Sequence, residues 1–192
     1  LIPARAAEPV EIEDGVLDWI RIVGEAPAAE ATVIVRPFDA SGADLGTGAE
    51  GGKPKRVAVA KKFQEDGPGI LAGSAVKSIL ERGPFGIVRL DDGSPLPDGA
   101  IVVEGVFTEL DPGSKAKRYW AGFGAGKGAI AVEGTVRDSA GNVLAEFRQR
   151  RLTVMGVFGG DYESKMQSDL DNIGEDIAKF LHHWVTGEKL TD

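Results

Sequence analysis

Between Arg118 and Gly128 the chain reads Arg-Tyr-Trp-Ala-Gly-Phe-Gly-Ala-Gly-Lys-Gly, and no other stretch says more about the shapes its backbone must take. Glycines at 122, 124, 126 and 128 recur at every second residue between two segments of strand-like composition. That spacing empties one face of an extended strand, or lets the chain bend where a Cβ would collide. It predicts a bend or bulge in a long strand that starts near Lys117 and resumes at Ala129, with Arg118 and Trp120 at the sheet's rim. The run fits neither phosphate-binding pattern. Gly128 stands where a phosphate loop needs Ser or Thr after its lysine, and Ala121 occupies the place of the first glycine. In a dinucleotide fingerprint the third glycine would fall on Lys127, and the β-rich Ile130-Ala131-Val132 follows instead of a helix.

The remaining bounds exclude several function classes. With 192 residues, of which 42% are hydrophobic, the chain is long enough to bury one sizeable core, and one domain is the expectation. Its apolar runs fall far short of the ~20 residues a bilayer-spanning helix requires. A net charge of -8 argues against nucleic acid, which would need a basic stripe, and the local cluster Arg148, Arg150, Arg151 does not reverse the balance. The absence of cysteine removes disulfides, thiolate metal sites and thiol catalysis together. Leu1 in place of Met predicts a processed or truncated chain from which a targeting segment has been removed.

Residues 1–15, rich in Ala, Pro and Glu, have no period and are expected to be an irregular lead-in or tether to a single domain over 16–192. Strands are predicted over 16–23 and 31–38, followed by a loop over 39–52 rich in Gly, Asp and Ser. Leu71, Ala72, Ala75, Val76, Ile79 and Leu80 recur at helical spacing, so a helix is predicted over 68–82, capped by Asp66 and stopped at Gly83-Pro84. Residues 53–66 carry both alternating and helical patterns and stay undecided. Segments 85–90, 100–110, 117–122, 129–137 and 142–154 read as the strands of a meander. In the last hairpin Ile130, Val132, Val136, Val143, Ala145 and Phe147 point inward, and Asp138 to Asn142 supply the turn. A closing helix from about 162 to 185 carries the stripe Met166, Leu170, Ile173, Ile177, Phe180, Leu181 and Trp184, with Asp161 as its N-cap. The fold class is therefore α+β: a mostly antiparallel sheet with two helices packed on one face, a two-layer sandwich.

Candidate chemistry is sparse. His182 and His183 are adjacent on a helix and point about 100° apart, so a shared metal is disfavoured and a role at the helix end is expected. None of Ser114, Ser139, Ser164 and Ser168 stands in a nucleophile elbow. The acidic pairs Asp91-Asp92 and Glu109 with Asp111 read as turn residues rather than a catalytic dyad. The candidate binding residues are Arg118, Trp120, Gly122, Gly124, Gly126 and Lys127, since Arg and Trp are enriched at binding hot spots. Tyr119 points to the opposite side of such a strand, which assigns at least one of these aromatics to packing.

Leu110-Asp111-Pro112-Gly113-Ser114, Arg118, Gly122-Phe123-Gly124-Ala125-Gly126, the stretch from Val132 to Asp138, Gly141-Asn142-Val143-Leu144 and the closing helix together resemble a family of bacterial envelope proteins, DUF4410, catalogued as a domain of unknown function. The resemblance runs from Val33 onward. It implies a secreted protein or lipoprotein, periplasmic or anchored at the outer membrane, and it supplies no catalytic residues to carry over. The order of strand, helix, strands and terminal helix is also similar to the N-terminal domain of the Tol translocation protein B and to auxiliary lipoproteins of lipid transporters. The expected function is a non-catalytic envelope protein that binds or supports a macromolecular assembly. Its partners would be envelope proteins, with no nucleic acid, no metal and no cofactor, and with membrane contact only through an N-terminal lipid anchor. The alternative is a small-ligand or nucleotide-binding module using Gly122 to Gly128. The sequence leaves the oligomeric state open.

Overall fold

The computed structural model describes residues 8–46, 54–112, 128–153 and 162–191. These build one mixed seven-stranded sheet with two long helices on one face. The strands are β1 (Val10–Glu13), β2 (Trp19–Ile22), β3 (Thr32–Val35), β4 (Ile87–Leu90), β5 (Ile101–Asp111), β6 (Gly128–Asp138) and β7 (Val143–Thr153). The helices are α1 (Pro54–Arg82) and α2 (Tyr162–Thr186). Across the sheet the order is β1-β2-β7-β6-β5-β3-β4, antiparallel except where β3 runs parallel to both of its neighbours. The expected α+β sandwich is thus the fold.

Inward residues alternate along the long strands as the hairpin pattern requires. Ile130, Val132 and Val136 of β6 are buried opposite Leu110, Phe107 and Val103 of β5, and Ala145 and Phe147 of β7 join them on the same face. The apolar stripe of α2 from Met166 to Trp184 is buried against that face. Aromatic rings link the layers: Phe38 meets Phe107 and Phe147 at 6.3 and 6.4 Å, Phe147 meets Phe180 at 6.0 Å, and Phe180 stacks on Trp184 at 5.5 Å. Gly187, with a φ of +76°, closes α2 in the left-handed conformation that suits a helix end.

Four expectations change. Val10–Glu13 is an edge strand rather than part of an irregular lead-in, because Ile12 lies against Ile20 and so gains burial on the sheet. Asp66 is not a cap: α1 starts at Pro54 and passes through Gly67-Pro68-Gly69. Proline costs the helix one backbone hydrogen bond, but Val59, Ala60 and Phe63 upstream of it are buried, and their packing outweighs that local penalty. Segment 53–66 is accordingly helical from residue 54. The meander begins only at β5, since β4 pairs in parallel with β3 after the α1 crossover and sits at the sheet edge. Glu109 and Asp111 lie within β5 and not in a turn. The strand expected over 117–122, Asp161 and the far end of the 39–52 loop lie outside the described residues.

Candidate sheet-face interface

With both helices on one side, the alternate residues of β1, β2, β7, β6 and β5 form a second face, over which no other element packs among the described residues. Two cross-strand rows organise it. One runs Trp19, Arg148, Glu133, Val106, and the next runs Glu11, Arg21, Glu146, Thr135, Glu104. The contacts follow the rows. The Arg148 guanidinium lies 4.6 Å from the Trp19 ring centre and 3.2 Å from a Glu133 carboxylate oxygen. Arg21 donates to Glu146 at 2.8 Å and stands 3.7 Å from Glu11. Glu104 accepts from Arg36 and from Arg137, both at 2.8 Å, and Arg150 donates to Glu109 at 2.7 Å across the small Ala131 between them. The cations in these contacts are all arginines, whose planar fork holds a carboxylate or lies flat on an aromatic ring as a lysine ammonium cannot.

The electrostatics agree with that geometry. Burial pushes the Glu104 carboxyl up, but the hydrogen bonds from Arg36 and Arg137 more than offset it and hold the group below its ordinary range. The hydrogen bond to Glu109 raises the Arg150 guanidinium. Between the rows lies a depression of about 240 Å³ lined by Trp19, Val106, Glu133, Thr135, Glu146 and Arg148. Its floor is the backbone of the paired Gly105 and Gly134. On the core side of that pair, a Cβ on Gly134 would stand 2.1 Å from the Phe147 ring and one on Gly105 would stand 2.6 Å from the Phe38 ring. The missing side chains are therefore the space those rings fill. Val106 and Leu152 leave 42% and 46% of their surface open on the same face, which gives it apolar as well as ionic character.

Beneath the sheet a polar seam ties β7 to α2. Gln149, nearly buried, accepts from the Asp18 backbone N–H and donates to Asp176, both at 2.9 Å, while Arg151 donates to the same Asp176 oxygen at 2.6 Å. Burial pushes the Asp176 carboxyl above its ordinary range, with Arg151 pulling the other way. These groups are mutually satisfied, as buried polar groups must be.

Those residues singled out in the sequence that the structure describes are spread over several elements. Arg118, Trp120, Gly122, Gly124, Gly126 and Lys127 lie outside the described residues, as do Tyr119 and Ser114. Asp91 accepts from Arg36 at 2.6 Å and from the Gly93 N–H, and Asp92 accepts from Arg89 and from the Ser94 N–H, so the first acidic pair serves a turn and two ion pairs. Glu109 and Asp111 are engaged by Arg150 and Arg56. Ser139 stands at the β6–β7 turn, and Ser164 and Ser168 are on α2. His182 and His183 face the last turn of the chain. Among the described residues no three His, Cys, Asp or Glu side chains are grouped as metal ligands. The Trp19 to Glu133 row escaped the sequence reading, although the alternation of Arg148 and Arg150 in β7 marked the side on which it lies.

Comparison with solved structures finds similarity to the PelC dodecamer from Paraburkholderia phytofirmans in two crystal forms. One, of a variant, is 17% identical over 82% of this chain and 97% of that one, with a TM-score of 0.43. The other is 15% identical over 82% and 95%, with a TM-score of 0.46. Likenesses so loose say nothing of this chain's assembly. Comparison with curated proteins gives no match. A family model described as Domain of unknown function (DUF4410) matches residues 33–157, which takes in β3 through β7 and α1, and the chain belongs to that family.

Proposed function

We propose that this is a non-catalytic cell-envelope protein, periplasmic or anchored at the outer membrane, that binds or supports a macromolecular assembly through the face of its sheet opposite the two helices. The observation that supports this reading is the Trp19–Arg148–Glu133 row beside its shallow depression. The face carries arginine, tryptophan and exposed aliphatic side chains, types enriched at protein interfaces or compatible with them, and its glutamates are already paired with those arginines. A 240 Å³ dent open to solvent is too slight to enclose a substrate, whereas a convex side chain of a partner would fill it. The envelope location rests on the family resemblance.

The test replaces Arg148 and Trp19, singly, by Glu and Ala. In cells that make the protein from its natural gene, in vivo cross-linking from position Thr135 should yield a defined adduct in the envelope fraction. Either substitution should reduce that adduct severalfold while the thermal midpoint stays near the parent's. Recovery of the protein in the cytosol would overturn the location, and an undiminished adduct in both variants would overturn the face.

A further inference from the structure

After α2 the chain does not leave the fold. Gly187 turns it, and residues 188–191 run back so that Thr191 bridges Gly15 in the turn between β1 and β2, where the Val16 N–H donates to the Leu190 carbonyl at 2.9 Å. Two histidines hold this return. His182 Nδ1 lies 3.1 Å from the Gly83 carbonyl at the end of α1, and His183 Nδ1 lies 2.6 Å from the Lys189 carbonyl. A carbonyl only accepts, so each Nδ1 must carry its proton. Each Nε2 then faces one oxygen of the same carboxylate, Glu188, at 3.3 Å from His182 and 3.4 Å from His183.

A carboxylate also only accepts. In the neutral Nδ1–H form each ring would present a lone pair to Glu188, and only the imidazolium, which donates from both nitrogens, satisfies every contact. We propose that His182, His183 and Glu188 form a proton-operated latch that fastens the C-terminal return to the β1–β2 turn, closing as the histidines gain protons and loosening as they lose them. The last carbonyls of α2 favour the charged rings. The charged groups of the elements meeting here are Lys179 one turn earlier on α2, Arg82 beside Gly83, Lys189 beside Glu188 and Asp14 in the β1–β2 turn, and the two rings lie 6.0 Å apart.

The latch is read out at the Val16 amide. Its hydrogen-exchange protection, corrected for the intrinsic pH dependence of exchange, should fall about tenfold between roughly pH 5.5 and pH 8, the interval in which histidine changes charge. The Val132 amide in the centre of the sheet should show no such change. In Glu188→Gln, whose amide nitrogen can donate to one neutral Nε2 while its oxygen still faces the other, the pH-dependent fall in Val16 protection should shrink while the thermal midpoint stays near the parent's. Nitrogen NMR of the rings at high pH supplies a second readout and should find the proton on Nδ1 in both. Flat Val16 protection in the parent, a fall that persists unchanged in Glu188→Gln, or Nε2–H tautomers would each overturn the latch.

Discussion

Gly134 shows how one missing atom can set both the core and the exposed face. Its Cβ would overlap Phe147, a ring that cannot retreat because Phe38 and Phe180 lie 6.4 and 6.0 Å away. Gly134→Ala should therefore cost about 2 kcal/mol, the usual scale of overpacking, in a urea titration. Gly73, exposed on α1 with nothing within 4 Å of its would-be Cβ, makes the contrast. Gly73→Ala should gain about 0.5–1 kcal/mol in the same titration, because alanine loses less backbone entropy in a helix. Sequence reading placed its weight on the glycines at 122 to 128, since their spacing is conspicuous. Gly105 and Gly134 are isolated in sequence, and only the register of β5 against β6 brings them together.

The two helices meet through a contact of similar closeness. A Cβ on Gly174 would stand 2.6 Å from the Ser74 hydroxyl and 2.8 Å from the Ala75 backbone nitrogen, so α2 approaches the backbone of α1 directly there. Gly174→Val should cost about 2–3 kcal/mol, because backbone atoms cannot move aside as a flexible side chain would. Trp184, 8% exposed and stacked on Phe180, anchors the far end of α2, and Trp184→Ala should cost about 3 kcal/mol by thermal or urea unfolding. An unchanged midpoint would mean that α2 is a detachable arm. The stripe of α2 was legible because seven apolar residues keep the helical period over its whole length. The first half of α1 was not, since Gly67-Pro68-Gly69 is a strong local stop and the packing that overrides it involves residues distant in sequence. Strand β4 was read correctly as a strand and wrongly as a neighbour of β5, because four residues carry no mark of whether they pair in parallel.

For the molecule as a whole, the carboxylates set the response to acid. Glu104 is held below its ordinary value of 4.5 in the folded state, so the unfolded chain takes up its proton more readily. Its contribution is present above pH 4.5 and is lost as the pH falls through the lowered folded value. Asp176 has the opposite sign. Its carboxyl is raised above 3.8 by burial, so its contribution favours the fold at low pH and is lost as the pH rises through that raised value. Urea unfolding of Glu104→Gln at a series of pH values should show a shallower loss of stability below about pH 4.5 than the parent does. An identical slope would show that Arg36 and Arg137 do not couple to this carboxylate. None of this was visible in the sequence, where Arg36, Glu104 and Arg137 are distant from one another and the net charge of -8 gives no hint of arginines and glutamates interleaved on one face.

The placement of β2 against β7 carries a consequence for time rather than space. A ribosome delivers Trp19 and Ile20 well before their partners Arg148 and Phe147, with β3 through β6 made in between. The opening hairpin must wait, while β5, β6 and β7 can zip together as soon as they emerge, each beside the one before it. Within this sheet the order of placement therefore inverts the order of synthesis: β1 and β2 are made before the other strands and are among the last to find their places.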